Sequence, residues 1–311
     1  MPRWQPDLSH AGGTLDPDVL TIALLGTGLL GSAIGLRLLQ SGRQLTSWNR
    51  HPARMEPLRA AGARLASSAA EAVADADVVL SVLADGPACR SVLIEQAGPG
   101  LADRLVINVA TIGPDESREL AAAVASRQGR FLEAPVLGSR PEALAGRLQV
   151  MAAGEPGVFA AALPLLRQLS DAPRLLGPVG CGLITKLALN QLIASLSHAF
   201  SLSLHLVQRA GGDQEAFLDL LRDSALHAPT FDKKLPRMLA DDYADPNFPT
   251  AHLRKDLLLF LAAARAHRLN SAALEGLVDL LEQARGTALD SLDYSALHRL
   301  TLGAAQARRS P

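Results

Sequence analysis

The stretch from Thr21 to Arg50, TIALLGTGLLGSAIGLRLLQSGRQLTSWNR, narrows the folds open to this chain more than any other. An apolar, β-type run (Thr21 to Leu25) breaks into Gly26-Thr27-Gly28-Leu29-Leu30-Gly31. Small and apolar residues then recur at helical spacing through Ala33, Ile34, Leu36, Leu38 and Leu39 to Gly42. A second strand-like run, Gln44 to Trp48, follows. Strand, glycine turn, helix and strand within about thirty residues is the βαβ unit that binds a dinucleotide. Gly26 permits the turn, Gly28 lets backbone N–H groups approach a pyrophosphate, and Gly31 lets the helix lie close to the strand. Thr27, Leu29 and Leu30 complete the loop, and the helix N-terminus aims its dipole at the phosphates.

The end of the second strand selects the cofactor. NAD-selective sites place an Asp or Glu there to accept from the ribose 2′-OH. This chain has Asn49-Arg50 and then Arg54, so a carboxylate that would repel a 2′-phosphate is missing and guanidinium groups that would pair with one are present. NADP(H) is favoured over NAD(H).

At 311 residues the chain has room for two domains, each with its own core. Its 30 Lys+Arg balance 31 Asp+Glu and no basic tract mixes with aromatics, which argues against nucleic acid. The apolar runs read as broken by charges before the ~18 residues a membrane helix needs, so no membrane is expected. Two cysteines, Cys89 and Cys181, build no disulfide framework and have no metal-ligand partners, which suits a reducing compartment, the cytoplasm by default. The histidines lack metal-ligand spacing and no metal is expected. Residues 1–20 read as a flexible polar tail.

Beyond the first unit, helix and strand signals alternate in the pattern of a doubly wound parallel sheet. Strands are expected at Arg64 to Ala66, Asp77 to Val82, Leu105 to Val109, Phe131 to Ala134, Leu148 to Ala153 and Pro173 to Leu176. Helices are expected at Pro52 to Ala61, Ser68 to Ala74, Gly86 to Gln96, Pro114 to Arg127 and Pro156 to Leu169. The strand ends at Leu83 and Thr111 point to the crevice where such sheets hold ligands. From Gly182 strand signals vanish, and a helical period runs unbroken to Val207, long enough to link two domains. Further helical segments follow, Gln214 to Arg222, Phe231 to Leu239, Thr250 to His267, Ala272 to Arg285 and Tyr294 to Leu300. The expected fold is α/β, a doubly wound Rossmann-type domain (21–181) joined by a long interdomain helix to an all-α domain (182–311).

A dinucleotide fold followed by a helical domain implies hydride transfer, which needs a proton donor facing the nicotinamide. Lys186, near the start of the linking helix, is the best candidate, with Asn190 one turn on along the same face. Desolvated in a cleft, such a lysine passes a proton to or from a carbonyl oxygen. A lysine snorkelling at the surface is the plainer alternative.

Four stretches resemble the β-hydroxyacid dehydrogenase family, whose members include 3-hydroxyisobutyrate dehydrogenase and the glyoxylate/succinic semialdehyde reductases. Gly26 to Arg50 is similar to the family's GxGxMG cofactor loop. Glu133-Ala134-Pro135-Val136-Leu137-Gly138-Ser139 with Gly146-Arg147-Leu148 resembles the substrate segment DAPVSGG and its downstream glycine. Gly180 to Asn190 resembles the catalytic GxGxxxKxxxN signature, and Phe248 with Lys255-Asp256-Leu257 the C-terminal KDL motif. The resemblance implies Lys186 as general acid or base and Asn190 as its positioner. It implies that the Gly138 and Ser139 amides hold a substrate carboxylate and that Thr111 lies near nicotinamide and substrate. Lys255 would contact the cofactor, Asp256 would support the active-site hydrogen bonds and Phe248 would help close the cleft. Alone, Lys255-Asp256 reads as a solvated helix face and Phe248 as core.

One departure stands out. Leu137 occupies the place where the family has Ser, which removes a hydroxyl donor worth on the order of 1.5–3 kcal/mol to a bound carboxylate. The resemblance implies NADPH-dependent reduction of a small aldehyde or keto acid, glyoxylate or succinic semialdehyde in type, or the reverse oxidation of a 3-hydroxy acid. An imine reductase of similar architecture is the enzyme alternative, although those put Asp or Tyr at the donor position. A non-catalytic NADP-binding module is the alternative of another class. The all-α domain implies a homodimer or homotetramer.

Overall fold

The computed structural model describes residues 20 to 302. The tail expected over 1–20 lies outside the described residues except for Leu20. The chain divides into two compact units, one ending at Lys186 and the next beginning at Leu187.

The first unit opens with β1 (Thr21–Leu25), α1 (Leu29–Gln40), β2 (Gln44–Trp48), α2 (Glu56–Ala60), β3 (Arg64–Leu65), α3 (Ala69–Val73), β4 (Val78–Ser81), α4 (Gly86–Cys89), β5 (Leu105–Asn108), α5 (Pro114–Ala125) and β6 (Arg130–Glu133). The six strands pair in parallel in the order β3-β2-β1-β4-β5-β6. Alternate side chains of β1 enter different cores, Ile22 and Leu24 one and Ala23 and Leu25 the other. Burial on both faces explains why these strands read as continuous apolar runs. The strand order reverses between β1 and β4, which puts the ligand crevice beyond their carboxyl ends.

The last two expected strands leave this sheet. β7 (Val136–Leu137) runs antiparallel to β8 (Gln149–Ala152), and β8 pairs with β9 (Arg174–Leu175) in a separate three-stranded sheet. Neither β7 nor α6 (Arg140–Leu144) was expected, because each is too short to show a period. α7 (Pro156–Leu169) lies where its pattern put it. The helix expected over Gly86 to Gln96 is α only to Cys89 and π-helical over Arg90–Gln96.

α8 (Cys181–Arg209) is 29 residues long and corrects an expectation. Residues 187–208 contain no Asp, Glu, Lys or Arg, so charges do not interrupt every apolar run early. By length and composition alone α8 is long and apolar enough to cross a membrane. Yet Asn190, Ser197, Ser201 and His205 are among its buried residues, a set of polar groups that suits contact with protein rather than lipid.

The second unit continues with α9 (Gln214–Arg222), α10 (Pro229–Ala240), α11 (Thr250–Ala266), α12 (Ala272–Glu282) and α13 (Leu297–Leu300). The helix expected at Tyr294 starts as a 3-10 turn, Tyr294–Ala296. One core gathers Leu253, Leu257, Leu277 and Leu281. The other stacks Phe200 on Phe231 with ring centroids 4.7 Å apart. A buried ion pair, Lys234 Nζ to Asp293 Oδ1 at 2.7 Å, ties α10 to the turn before α13, with the ammonium 4.3 Å from the Tyr294 ring.

Candidate functional site

The glycine loop between β1 and α1 separates into two kinds of glycine. Gly26 has φ +99°, and a Cβ there would stand 2.3 Å from the Val82 carbonyl oxygen. A Cβ on Gly31 would stand 2.1 Å from the Gly26 carbonyl oxygen. Both are glycine because of the protein's own packing. Gly28 is different, with φ −72° and nothing within 4 Å of where its Cβ would be. It starts α1 with no side-chain cap, so no internal reason demands glycine, whereas a phosphate laid on the helix N-terminus does. Beside it Thr27 Oγ1 is buried without a hydrogen-bond partner. Together these features fit the pyrophosphate of NAD(P).

At the end of β2, Asn49 Oδ1 accepts from the His51 amide at 2.8 Å and turns the chain, leaving Arg50 and Arg54 exposed. Leu30 packs on one core and Leu83 on the other, while Leu29 is exposed. Thr111, half-buried, follows β5.

Half-buried Leu137 ends β7. Gly138 has φ +119°, and a Cβ there would meet Leu148 Cδ2 at 2.8 Å. Ser139 brings a correction. Its amide and its hydroxyl both donate to Glu142 Oε2, each at 2.7 Å, closing a capping box on α6. The amide expected to hold a substrate carboxylate is thus engaged by an internal one.

The start of α8 shows why its two glycines are where they are. Gly180 has φ +104°. Gly182 lets the helix press on β8, since a Cβ would stand 2.3 Å from the Met151 carbonyl oxygen and 2.9 Å from Glu133 Oε1. Glu133, fully buried at the end of β6, accepts from Gly180 N (2.9 Å) and Ser117 Oγ (2.6 Å) on Oε2 and from Leu183 N (2.8 Å) on Oε1. Burial pushes its pKa up, and the Ser117 hydroxyl and the amides pull against that shift. Lys186, three residues beyond Leu183, is 8% exposed, so the surface alternative does not hold.

In the second unit, Asn190 Nδ2 donates to Asp256 Oδ2 at 2.5 Å, while Asn190 Oδ1 is buried without a partner. Lys255 Nζ lies 3.0 Å from Asp256 Oδ1, close enough for an ion pair, though Oδ1 makes no aligned hydrogen bond. The solvated-face reading of Lys255-Asp256 therefore fails for Asp256, which is 2% exposed. Phe248 is partly buried on the first core of this unit and sits edge-on to Tyr294 at 5.9 Å.

Comparison with known proteins places this geometry. A family model described as the NAD binding domain of 6-phosphogluconate dehydrogenase matches residues 21–180. One described as NAD-binding of NADP-dependent 3-hydroxyisobutyrate dehydrogenase matches residues 180–301. Glyoxylate/succinic semialdehyde reductase 1 of Arabidopsis thaliana is 30% identical over 283 residues, covering 89% of this chain and 97% of the relative.

The chain belongs to the β-hydroxyacid dehydrogenase family.

Among solved structures, 3-hydroxyisobutyrate dehydrogenase of Mycobacterium tuberculosis, described with L-serine, is 26% identical with a TM-score of 0.82, over 90% of this chain and 98% of that one. The second Arabidopsis thaliana reductase, described as chloroplastic, is 29% identical over 89% of this chain and 78% of its own length. As a β-hydroxyacid dehydrogenase, the protein is an NAD(P)-dependent oxidoreductase acting on CH–OH and C=O groups. Two acidic residues outside the expected site set, Glu133 and Glu142, engage its backbone amides. The Ser139-Arg140-Pro141-Glu142 spacing is itself a readable capping-box signal. Glu133 offers only the oddity of a carboxylate inside an apolar strand.

Proposed function

We propose that this β-hydroxyacid dehydrogenase is an NADPH-preferring reductase of small aldehydes or keto acids of the glyoxylate and succinic semialdehyde type, or runs the reverse oxidation of a 3-hydroxy acid. The observation that carries the reading is Lys186, a buried ammonium on α8 one turn before Asn190. Bound NADPH supplies the hydride. Lys186 gives its proton to the carbonyl oxygen as negative charge develops there, and takes it back in the oxidation. Asn190, its amide oriented by Asp256, offers Oδ1 as an acceptor for the ammonium or for a substrate hydroxyl. Thr111, Leu137 and Gly138 line the substrate's side in this reading, Phe248 shields it and Lys255 contacts the cofactor. The glycine loop with Leu83 holds the dinucleotide, and Arg50 and Arg54 hold the 2′-phosphate.

With Leu137 in place of a hydroxyl and the Ser139 donors on Glu142, the site holds a substrate carboxylate weakly. A panel of short aldehydes, keto acids and a cyclic imine, with NADPH and with NADH, tests the reading by cofactor absorbance. Oxidation of NADPH by carbonyls supports it. Turnover of the imine with none of any carbonyl favours the imine reductase, and background rates throughout, despite tight cofactor binding, the non-catalytic module.

The protein is further proposed to form a homodimer or homotetramer in a reducing compartment such as the cytoplasm. Leu192, Leu202 and Leu206 are 50%, 52% and 70% exposed and, with Ala188 and Ala199, lie along one face of α8. Among the described residues, Cys89 and Cys181 form no disulfide.

A further inference from the structure

Glu133 contributes to no core and touches no exposed surface, yet it is among the most heavily hydrogen-bonded side chains of the first unit. A buried carboxylate is costly unless its oxygens are satisfied. Here they are satisfied by one group of donors with a single destination, since Gly180 N, Leu183 N and the close-lying Gly182 all belong to the entry and first turn of α8. Ser117 Oγ, 0% exposed on α5, donates at 2.6 Å to Oε2, the same oxygen that Gly180 N reaches. The two backbone donors reach different oxygens of the carboxylate, Gly180 N on Oε2 and Leu183 N on Oε1, so neither oxygen is left without a partner. A negative charge at a helix N-terminus also meets the positive end of the helix dipole. β6, α5 and α8 are therefore joined at one side chain, and Gly182 keeps the helix near enough to be held.

We propose that Glu133 is a positioning residue for the reaction, its carboxylate clamping the first turn of α8 and so fixing where the Lys186 ammonium stands. The proposal rests on Lys186 being the proton donor. The side chain does not touch the reacting atoms; it acts through the helix that carries the one that does. Displacement of a catalytic group by about 1 Å can cost up to 100-fold in rate.

The test is a double-mutant cycle on the full chain, with kcat and KM from steady-state turnover and cofactor affinity from quenching of protein fluorescence by NADPH. Glu133→Gln keeps the shape but removes the charge and turns an amide toward the backbone donors. It is expected to lower kcat about tenfold or more while NADPH affinity stays within about twofold. Glu133→Asp, which keeps the charge, is expected to regain part of that loss. In a Lys186→Ala background, Glu133→Gln is expected to cost nothing further, because the group it positions is gone. The same loss in both backgrounds would overturn the proposal, as would unchanged kcat in Glu133→Gln. Should Glu133→Gln not fold, Ser117→Ala, which removes one donor only, is expected to lower kcat a few-fold in the parent and not in Lys186→Ala. Full activity of Lys186→Ala itself would instead remove the proton-donor reading and with it the route through which Glu133 acts.

Discussion

Asn190 Nδ2 and Asp256 Oδ2 stand 2.5 Å apart, joining α8 to α11 through two side chains that are 1% and 2% exposed. A hydrogen bond to a carboxylate fixes which way the amide faces. Its nitrogen is committed to Asp256 and its oxygen, buried and without a partner, is left to accept.

Asp256→Ala releases that amide. The variant is expected to lose about 10- to 100-fold in kcat, the equivalent of a charge-assisted hydrogen bond worth ~1.5–3 kcal/mol, with a smaller change in NADPH affinity. Steady-state kinetics with thermal melting as a folding control separates this from simple destabilisation.

Removing Glu142 frees the Ser139 amide and hydroxyl. Glu142→Ala is expected to lower KM for carbonyls bearing a carboxylate about tenfold relative to uncharged aldehydes of the same length, and to lose ~0.5–2 kcal/mol of stability with the α6 cap. An unchanged ratio of KM values would count against a carboxylate subsite at Ser139.

Arg50 and Arg54 are exposed beyond the end of β2, and the proposed function gives them the 2′-phosphate of NADPH. Replacing both by Ala is expected to raise KM for NADPH by about tenfold or more and to leave KM for NADH nearly unchanged, at one charge-assisted contact or more lost. Equal losses with both cofactors would mean that the arginines serve the loop rather than the phosphate.

His298 gives the stability a pH dependence. Burial, then the neighbouring His205, lowers its pKa to about 4, Asp241 opposing. Its ring stacks on His205 with centroids 3.8 Å apart, and its carbonyl accepts from His205 Nε2. The unfolded chain therefore binds the proton near pH 6.5 and the folded one only near pH 4, so stability is fully present above about pH 6.5 and falls as the pH drops toward 4. The contribution is at most on the order of 3 kcal/mol. Unfolding free energies from urea melts at intervals across that window check it, and His298→Gln is expected to flatten the fall.

The features legible in the sequence share a physical cause, a residue type forced by backbone geometry close by in the chain. Gly26 has φ +99° and Gly31 presses on the Gly26 carbonyl five residues before it, so their spacing reports the turn directly. The length of α8 follows from an unbroken helical period. What stayed hidden depends on partners distant in sequence. Glu133 meets Ser117 and the amides of residues 180 and 183, none of which its neighbours announce. β7 has two residues and no period, so the strand that pairs antiparallel with β8 in a separate sheet left no signal. Ser139 carries a local signal of another kind, a Ser followed three residues later by Glu142, which is a capping-box spacing.

The central claim is that Lys186 carries the proton. The most direct measurement is the single-turnover rate of NADPH oxidation by the best carbonyl substrate in Lys186→Ala, with NADPH affinity measured alongside. Lys186→Ala is expected to bring that rate at least ~100-fold below the parent with cofactor affinity within about twofold, since general acid catalysis contributes that much. A single-turnover rate equal to the parent's would contradict it.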